Sequence, residues 1–500
     1  MSTTVYVPGD AGALSVGAAE VAAAITAEAK RRGMPLNLVR NGSRGAYWLE
    51  PLVEVQTPRE RCAYGPVRAA DVPSLFAADF VKGGTHPLSL GLTDSIPWLK
   101  SQQRLTFERV GIIDPASVAD YVKHGGYRGL ERALQMPGAG IVQAVTSSGL
   151  RGRGGAAFPT GIKWKTVLDQ GTTQKFVTCN ADEGDSGTFS DRMLMEGDPL
   201  SLIEGMTIAG IAVGATQGYI YLRAEYPHAH AALKAAIAAA YQSRHLGADV
   251  AGSGKRFDLE VRLGAGAYIC GEETSMLESL EGKRGEIRVR PPLPAIKGLF
   301  GQPTIVNNVV TLASVPWILA HGAEAYANFG MGKSRGTLPI QLAGNIRRAG
   351  LVERAFGLTL RELLYDIGGG TATGRPIRAV QVVGPSGLTC RPRISTLRST
   401  TRRSPGWGRC SGTAESWCST TRSTWRAWRA TRWSSAPSSP AASARRAASA
   451  PRGAWRSSTA SSPASTGSVT CSCWKSCARP WCRARCAGWA VWRHSPCRAR

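Results

Sequence analysis

The sequence predicts an α/β protein built around an open sheet with ligand-binding loops at its strand ends. Three observations predict it. Over residues 131–335, helical and strand periodicities alternate, and glycine-rich loops separate them. The hydrophobic fraction, 43% of 500 residues, supplies sizeable cores for several domains. No apolar run reaches the ~18 residues that a membrane span needs, so residues 205–216 and 312–320 read as core segments. The opening Met1-Ser2-Thr3-Thr4-Val5-Tyr6 has no basic stretch leading into an apolar one. No secretory signal and a cytoplasmic location are therefore expected.

Residues 1–130 read as a small α/β unit: a strand at 5–8, an Ala-rich helix at 17–32, strands at 36–40 and 48–56, and a helix at 71–80. This order resembles a thioredoxin-like domain. Such a domain can carry a 2Fe-2S cluster, which takes four thiolates. Only Cys62 is present here, so the unit is expected to be structural or to serve docking. Residues 131–335 form the expected ligand-binding domain, with strands at 175–179, 218–223 and 259–263 and helices at 228–241 and 273–280. Residues 336–387 show a strand from Leu338, a short helix at 359–365, a Gly368-Gly369-Gly370 turn and a strand at 377–383. That is the pattern of a small, incomplete β-grasp unit.

The formal charge of +26 is not spread evenly. Residues 391–500 carry 20 Arg against one Lys (Lys475), one Glu (Glu415) and no Asp, so that segment alone holds +20. It also holds 8 of the 12 Cys and 10 of the 14 Trp, with no Phe, Tyr, Asn or Met. A nucleic-acid-binding tail mixes Lys with Arg and adds aromatic platforms, so no nucleic-acid partner is expected. A basic nucleic-acid-binding protein remains the competing class, and it predicts steeply salt-dependent binding. Arg, Ala, Ser, Pro, Trp and Cys are what GC-rich DNA yields out of frame. Residues 388–500 are therefore expected to be a frame-shifted, low-complexity tail, disordered or artefactual.

Four loops carry chemistry. The first runs from Gly149 to Trp164 and contains Gly152-Arg153-Gly154-Gly155, Phe158 and Lys163. Its glycines let backbone N–H groups approach an anion, and the helix that follows favours phosphate. Phe158 offers a flat face for a base. The second, directly after a strand, is Cys179-Asn180-Ala181-Asp182-Glu183-Gly184-Asp185-Ser186-Gly187-Thr188. Its three carboxylates can accept from ribose or ribityl hydroxyls, or orient a carboxamide. Gly184-Asp185-Ser186-Gly187 imitates a serine-protease nucleophile loop, but Thr188 replaces the next glycine and no His and Asp contexts match. The third loop joins Gly264 and Tyr268 to Gly271-Glu272-Glu273 at a helix start. The fourth, Pro303-Thr304-Ile305-Val306-Asn307-Asn308-Val309, places two amides side by side. Each loop alone also suits a purely structural turn.

Other signals fail. Gly254-Lys255 and Gly332-Lys333-Ser334 look like phosphate-loop ends, but Asp249 and Ala327 stand where the earlier glycine is required. His228 and His230 lie two apart, on different faces of a helix, so no metal site is expected there.

In order and wording the four loops resemble the family of flavin- and NADH-binding subunits found in respiratory complex I and its soluble relatives, over residues 131–385. The likeness is greatest to the beta (diaphorase) subunit of soluble, molybdenum-containing NAD-dependent formate dehydrogenase. The run Asn180-Ala181-Asp182-Glu183-Gly184-Asp185-Ser186-Gly187-Thr188-Phe189-Ser190-Asp191-Arg192 and the 130-residue extension carry that likeness. The resemblance implies a Rossmann-like FMN- and NAD(H)-binding domain at 131–335 and an SLBB-like β-grasp unit at 336–387. It implies that Gly152, Arg153, Gly154, Gly155 and Lys163 form the flavin and nucleotide phosphate loop. Asn180, Asp182 and Glu183 would hold FMN, with Gly271, Glu272, Glu273, Asn307 and Asn308 completing its pocket. Phe158 and Tyr268 would line the NAD(H) cavity. Asp185, where complex I relatives usually have Glu, would act with Glu273 as the catalytic pair at the nicotinamide-ribose side. Leu293 departs from the family Phe, which weakens adenine stacking there.

The implied function is electron transfer between NAD(H) and an iron–sulfur chain through FMN, most readily the reduction of NAD+ with electrons from formate. The implied partners are a molybdenum-containing alpha subunit and a small 2Fe-2S gamma subunit. The alternatives are an NADH-oxidising subunit of complex I or of an NAD-reducing hydrogenase. The family continues with a helical domain holding a 4Fe-4S cluster, whose ligands, including Glu-Ser-Cys-Gly-Lys-Cys-Thr-Pro-Cys-Arg-Ile-Gly, are missing in frame. GC-rich codons for that stretch, read one base late, translate as Ser-Pro-Ala-Ala-Ser-Ala-Arg-Arg-Ala-Ala-Ser-Ala. Residues 439–450 spell that run. The frame is therefore expected to break near 384–387, and Cys471, Cys473, Cys477, Cys482 and Cys486 are not taken as ligands.

Overall fold

The computed structural model describes residues 3–185, 187–382, 388–390 and 414–419. The first sheet contains β1 (Thr3–Tyr6), β2 (Leu36–Val39), β3 (Val53–Gln56), β4 (Arg61–Tyr64) and β5 (Ser89–Leu92) in the order β2-β1-β3-β4-β5. β1 and β2 are parallel, and the remaining neighbours are antiparallel. The helix Ala18–Arg31 makes the crossover between β1 and β2. Its Val21, Ala22, Ile25 and Ala29 recur at helical spacing and bury against Val5, Val53 and Val55. The single strand expected at 48–56 is broken. Tyr47–Leu49 is a 3-10 turn and β3 starts only at Val53, because Pro51 interrupts a ladder by lacking its N–H.

The central sheet contains β6 (Phe176–Ala181), β7 (Gln217–Leu222), β8 (Asp258–Leu263) and β9 (Thr304–Asn308), all parallel, in the order β8-β7-β6-β9. The chain moves outward from β6 to β8 and then crosses back to place β9 on the other side of β6. Strand order thus reverses between β6 and β9, which opens a crevice beyond their carboxyl ends. Asn180 pairs in register with Asn308 at that end. The helices Pro199–Val213 and Val309–His321 are buried on nearly every face and make the floor of the largest core.

A hairpin of β10 (Gly330–Met331) and β11 (Ser334–Arg335) leads into a third sheet. That sheet contains β12 (Thr337–Gly344), β13 (Gly350–Ala355), β14 (Ala379–Val382), β15 (Leu388–Cys390) and β16 (Ala414–Ser419), in the order β13-β12-β16-β14-β15. β16 runs parallel to β12 and antiparallel to β14. Two of the five strands therefore lie past residue 387, where the unit was expected to stop and disorder to begin. Ladder pairing uses backbone N–H and C=O groups that any non-proline residue carries, so the odd composition of the tail does not forbid it. The rest of 383–500 lies outside the described residues.

Buried carboxylates tie the units together. Glu353 of β13 accepts from the amides of Leu105 (3.1 Å), Thr106 (2.9 Å) and Phe107 (2.9 Å) and from Thr337 Oγ1 (2.5 Å). Glu196, near the end of the helix Ser190–Gly197, accepts from the amide of Ala11 at 2.7 Å. Asp10 and Glu50 are buried in the same region. Burial, and then the charge of Asp10, push Glu50 up to about 8; burial pushes Glu196 up to about 7 and raises Asp10 as well.

These three acids bind protons more tightly folded than unfolded, so their contribution is complete below the unfolded value of 4.5 for Glu50 and Glu196. It is lost as pH rises through about 7 and 8. Urea denaturation should show stability falling between these limits, and Glu50→Gln should flatten the fall by about 1 kcal/mol or more. Equal slopes for the two proteins would contradict this.

Candidate functional site

The cleft at the strand-order reversal is assembled from three loops and the end of β9. Residues 149–159 leave the helix Gly138–Ser147 and return to the helix Thr160–Leu168. The loop is closed by the Arg151–Pro159 bridge and by the amide of Gly152 donating to Phe158 O at 2.9 Å. A Cβ on Gly154 would stand 2.9 Å from Asn308 Cβ. Only glycine lets this loop lie against the end of β9. The second loop follows β6 and the third precedes the helix Glu273–Leu280; the fourth expected loop is instead a strand, because residues 304–308 form β9 and Asn308 runs directly into the helix Val309–His321 as its cap.

The cleft has two lobes. One, of about 280 Å³, is lined by Arg153, Glu183, Asp185, Asp191 and Tyr268 among others. The other, of about 510 Å³, is lined by Gly152, Phe158, Lys163, Glu273, Arg290, Leu293 and Asn307 among others. Gly154, Asn180, Gly271, Glu272 and Asn308 line both and make them one cleft. Of the expected site residues, only Gly155 and Asp182 line neither lobe. The Asp182 amide donates to Asn180 Oδ1 at 3.1 Å, and its carboxyl is pushed up to about 6 by burial.

Several expected ligands are committed to the protein itself. The Arg153 guanidinium donates to Tyr326 OH (2.9 Å) and to the carbonyls of Arg335 (2.8 Å) and Arg151 (3.0 Å). Its backbone amide donates to Thr311 Oγ1 at 2.8 Å. Arg153 therefore braces the loop and does not present its charge to the cleft. Glu183 is likewise a brace. Its oxygens accept from the amides of Asp191 (2.9 Å) and Arg192 (3.1 Å), Ser190 Oγ (3.2 Å) and Tyr226 OH (3.1 Å), which caps the helix Ser190–Gly197.

Asn308 ends β9, caps the next helix through Val310 N at 3.0 Å, and donates Nδ2 to Asp191 Oδ2 at 2.6 Å. Asn180 Nδ2 donates to Gly271 O at 2.8 Å, and Asn307 Oδ1 accepts from Trp164 Nε1 at 2.9 Å. Asn307 Nδ2 has no partner among the described residues.

The charges that do face the cleft form a chain. Lys163 Nζ reaches Glu273 Oε2 at 3.2 Å and Val306 O at 2.7 Å. Glu273 Oε1 accepts from Arg290 at 3.0 Å, and Arg290 reaches Glu272 Oε1 at 3.3 Å. Burial opposes the charge of Glu272. The Thr274 hydroxyl and the amides of Thr274 and Ser275 nevertheless hold it below the usual range. At the mouth, Tyr268 OH donates to Asp185 Oδ1 at 2.7 Å, which pushes the phenol up to about 12. Phe158 is 48% exposed and Tyr268 69%, so two aromatic faces stand open to a ligand.

Asp191 and Arg290 were missed as single residues. Asp191 lies just after the acidic loop, and burial, followed by the neighbouring Glu183, raises it well above the ordinary carboxylate range. The basic residue before Pro291-Pro292-Leu293-Pro294 was the signal for Arg290.

A parallel sheet with a glycine-rich loop, paired amides and paired acids at its switch point is that of an α/β domain built to take a nucleotide-like cofactor. Residues 145–317 match the family described as the Nuo51 FMN-binding domain. The NADP-reducing hydrogenase subunit HndC of Solidesulfovibrio fructosivorans is 50% identical over 288 residues, 58% of this chain and 59% of that protein. The F 2 subunit of NADH-quinone oxidoreductase from Rhizobium meliloti (strain 1021) is 46% identical over 272 residues, 54% of this chain and 65% of that one. A solved NAD+-reducing [NiFe]-hydrogenase in the air-oxidized state shares 29% identity at a TM-score of 0.50, covering 84% of this chain and 69% of that one. The chain spans roughly three-fifths of the length of the curated relatives it matches. No helix among the described residues is long and apolar enough to cross a membrane.

Replacing Asn308 by Ala removes a helix cap and strands Asp191, which should cost about 1–2 kcal/mol in urea denaturation. A change below about 0.5 kcal/mol would contradict the capping role.

Proposed function

We propose that this protein is a diaphorase subunit that passes electrons between NAD(H) and an iron–sulfur chain through FMN. The single observation that carries the proposal is the two-lobed cleft at the switch point, within the segment that matches the FMN-binding family. The residues present fit the flavin. The Gly154 backbone can be approached closely, and Asn307 Nδ2 is an available donor. Bound there, FMN supplies hydride exchange with nicotinamide and one-electron exchange with metal clusters.

The protein's part is positioning. Gly152, Gly154 and Gly155 keep the loop backbone low over the phosphate side, and Lys163 neutralises charge there. Glu273, held between Lys163 and Arg290, accepts from ribose hydroxyls, and Asp185 at the mouth orients the nicotinamide carboxamide. Phe158 and Tyr268 cover the rings and exclude water. Hydride exchange carries its hydrogen with both electrons, so no side chain has to move a proton in that step; passing the two electrons on singly would release one proton.

The finer reading is the beta subunit of a cytoplasmic NAD-dependent formate dehydrogenase, with a molybdenum-containing alpha and a 2Fe-2S gamma partner. The 130-residue extension and the Asn180–Arg192 wording support it. The second reading is a component of an NAD(P)-reducing hydrogenase, favoured by the likeness to HndC and to the solved [NiFe]-hydrogenase. The partner complex decides between them: formate or hydrogen as the reductant that supports NAD+ reduction. The 1–130 unit is proposed as a thioredoxin-like docking domain.

The 4Fe-4S cluster does not fit the described residues. No three His, Cys, Asp or Glu side chains gather there at metal-binding distance, so no step is derived through it. We infer that the chain leaves its frame near 384–387, on the strength of the out-of-frame run at 439–450.

Purified protein should carry the visible absorbance of oxidised flavin, bleached anaerobically by NADH. Gly154→Ala should weaken FMN binding about tenfold or more, and Glu273→Gln should slow bleaching about tenfold at unchanged flavin content. Colourless protein that does not take up FMN would end the proposal. Resequencing codons 380–392 should reveal one base gained or lost, which restores the cysteine run; an unchanged reading would refute the frame inference.

A further inference from the structure

The smaller lobe of the cleft poses a charge problem. Among the described residues its wall carries four carboxyls, Glu183, Asp185, Asp191 and Glu272, against a single cation, Arg153. The Arg153 guanidinium is spent on Tyr326 OH and on the carbonyls of Arg335 and Arg151. A cofactor that bears a phosphate brings still more negative charge to this wall. The four acids are not equally compensated. Glu272 is held by Arg290 and by donors from Thr274 and Ser275. Glu183 collects two amides and two hydroxyls. Asp185 stands at the mouth, only partly buried, and accepts from Tyr268 OH. Asp191 is 5% exposed and has one donor, Asn308 Nδ2 at 2.6 Å.

Every neighbour leaves Asp191 without counter-charge. It lies in the first turn of the helix Ser190–Gly197, where a free helix start would favour its charge. Glu183 has taken that place, since the amides of Asp191 and Arg192 both donate to it. The Arg192 guanidinium lies instead over the rings of Phe189 and Tyr226, at 5.6 and 5.7 Å from their centres. On β6, Cys179 is the remaining titratable group against Asp191. Burial, and then Asp191, push its thiol well up, so it stays neutral. The other Asp191 oxygen, Oδ1, has no donor among the described residues, and it is not sealed from the lobe it lines. A buried carboxyl with one neutral donor and an acid beside it favours its protonated form, in line with the upward shift described above.

We infer that Asp191 is the proton-binding residue of the cleft: its carboxyl carries a proton whenever an anionic cofactor is seated, and so lets an acidic wall accept an anion. The inference rests on the flavin reading, because FMN is the anion concerned. An anion in the cleft repels ionised Asp191, so the proton binds more tightly with the cofactor than without it. By linkage the cofactor binds more tightly when the proton is on. FMN affinity is therefore complete below the pH at which Asp191 ionises in the empty cleft, and it falls as pH rises through that point. Asn308 serves both states, since its Nδ2 donates to Oδ2 whether or not Oδ1 holds the proton.

The test is calorimetric titration of the full chain, stripped of flavin, with FMN. It is run in buffers of different ionisation enthalpy, which count the protons taken up on binding. Asp191→Asn keeps the size of the side chain and an oxygen for Asn308 Nδ2, and it cannot ionise. In the unaltered protein, uptake should climb toward about one proton per FMN, and affinity should fall about tenfold or more, as pH rises from about 7 to 9. In Asp191→Asn that uptake and that extra loss of affinity should both vanish. The phosphate of FMN titrates alike in both proteins, so the difference between them is decisive. The infrared band of a protonated carboxyl, measured without FMN below the pH of the fall, should lose intensity in Asp191→Asn; this reads the proton with no cofactor bound. FMN that binds the unaltered protein without proton uptake, or a pH dependence equal in the two proteins, overturns the inference and leaves the flavin reading standing. Absence of FMN binding to either protein overturns the flavin reading, and this inference falls with it.

Discussion

The reversal of strand order between β6 and β9 is the constraint on which the site depends. It sets the ends of two parallel strands side by side, and Asn180 and Asn308 stand in register at that edge. Asn308 then holds three elements with one side chain: the end of β9, the start of the helix Val309–His321, and Asp191 on the opposite wall. Because Gly154 has no side chain, the glycine-rich loop can close on the same point. Strand, helix, loop and acidic wall therefore meet at one amide.

Buried carboxylates do much of the remaining work, and they do it for the backbone. Glu183 caps a helix, Glu353 collects three successive amides, and Glu204 accepts from Tyr121 OH (2.5 Å) and from the amides of Tyr127 (2.8 Å) and Leu130 (2.9 Å). A buried acid with several N–H donors is well satisfied, whereas removing it would strand all of them at once. This use explains why so few charges face the cleft. Once Arg153 and Glu183 are committed inward, the charges left on the cleft are those of Lys163, Glu273, Arg290, Glu272 and Asp185.

Three strands of the central sheet were legible as apolar or alternating runs between helical periodicities, whereas β9 reads as a loop because Pro303 and the Asn307-Asn308 pair flank only Thr304-Ile305-Val306. The N-terminal unit was less legible. β4 and β5 are short, and Pro51 makes one expected strand into a turn and a strand. Roles within the cleft were harder still, because residue type does not say which way a side chain points. Arg153 in a glycine-rich loop looks like a phosphate ligand, but Tyr326 and Arg335, more than 170 residues away, claim its guanidinium. Asp191 carried no local signal; its environment depends on Asn308, 117 positions distant. The two strands past residue 387 were hidden for a different reason, since backbone pairing leaves no mark in composition.

The helix Ser190–Gly197 joins the cleft to the N-terminal unit. Its first turn holds Asp191 on the cleft wall and is capped by Glu183. Its last turn holds Glu196, bonded to Ala11 in the N-terminal unit. Phe189, just before it, packs edge-on against Tyr47 with ring centres 5.2 Å apart. A helix of eight residues is only about 12 Å long, and it is too short to absorb strain by bending. Any displacement of the N-terminal unit must therefore be carried to Asp191 or relieved by breaking the Glu196 bond. The buried acids at that joint set how firmly the bond holds, so the proton balance there and the geometry of the cleft wall are parts of one rigid connection.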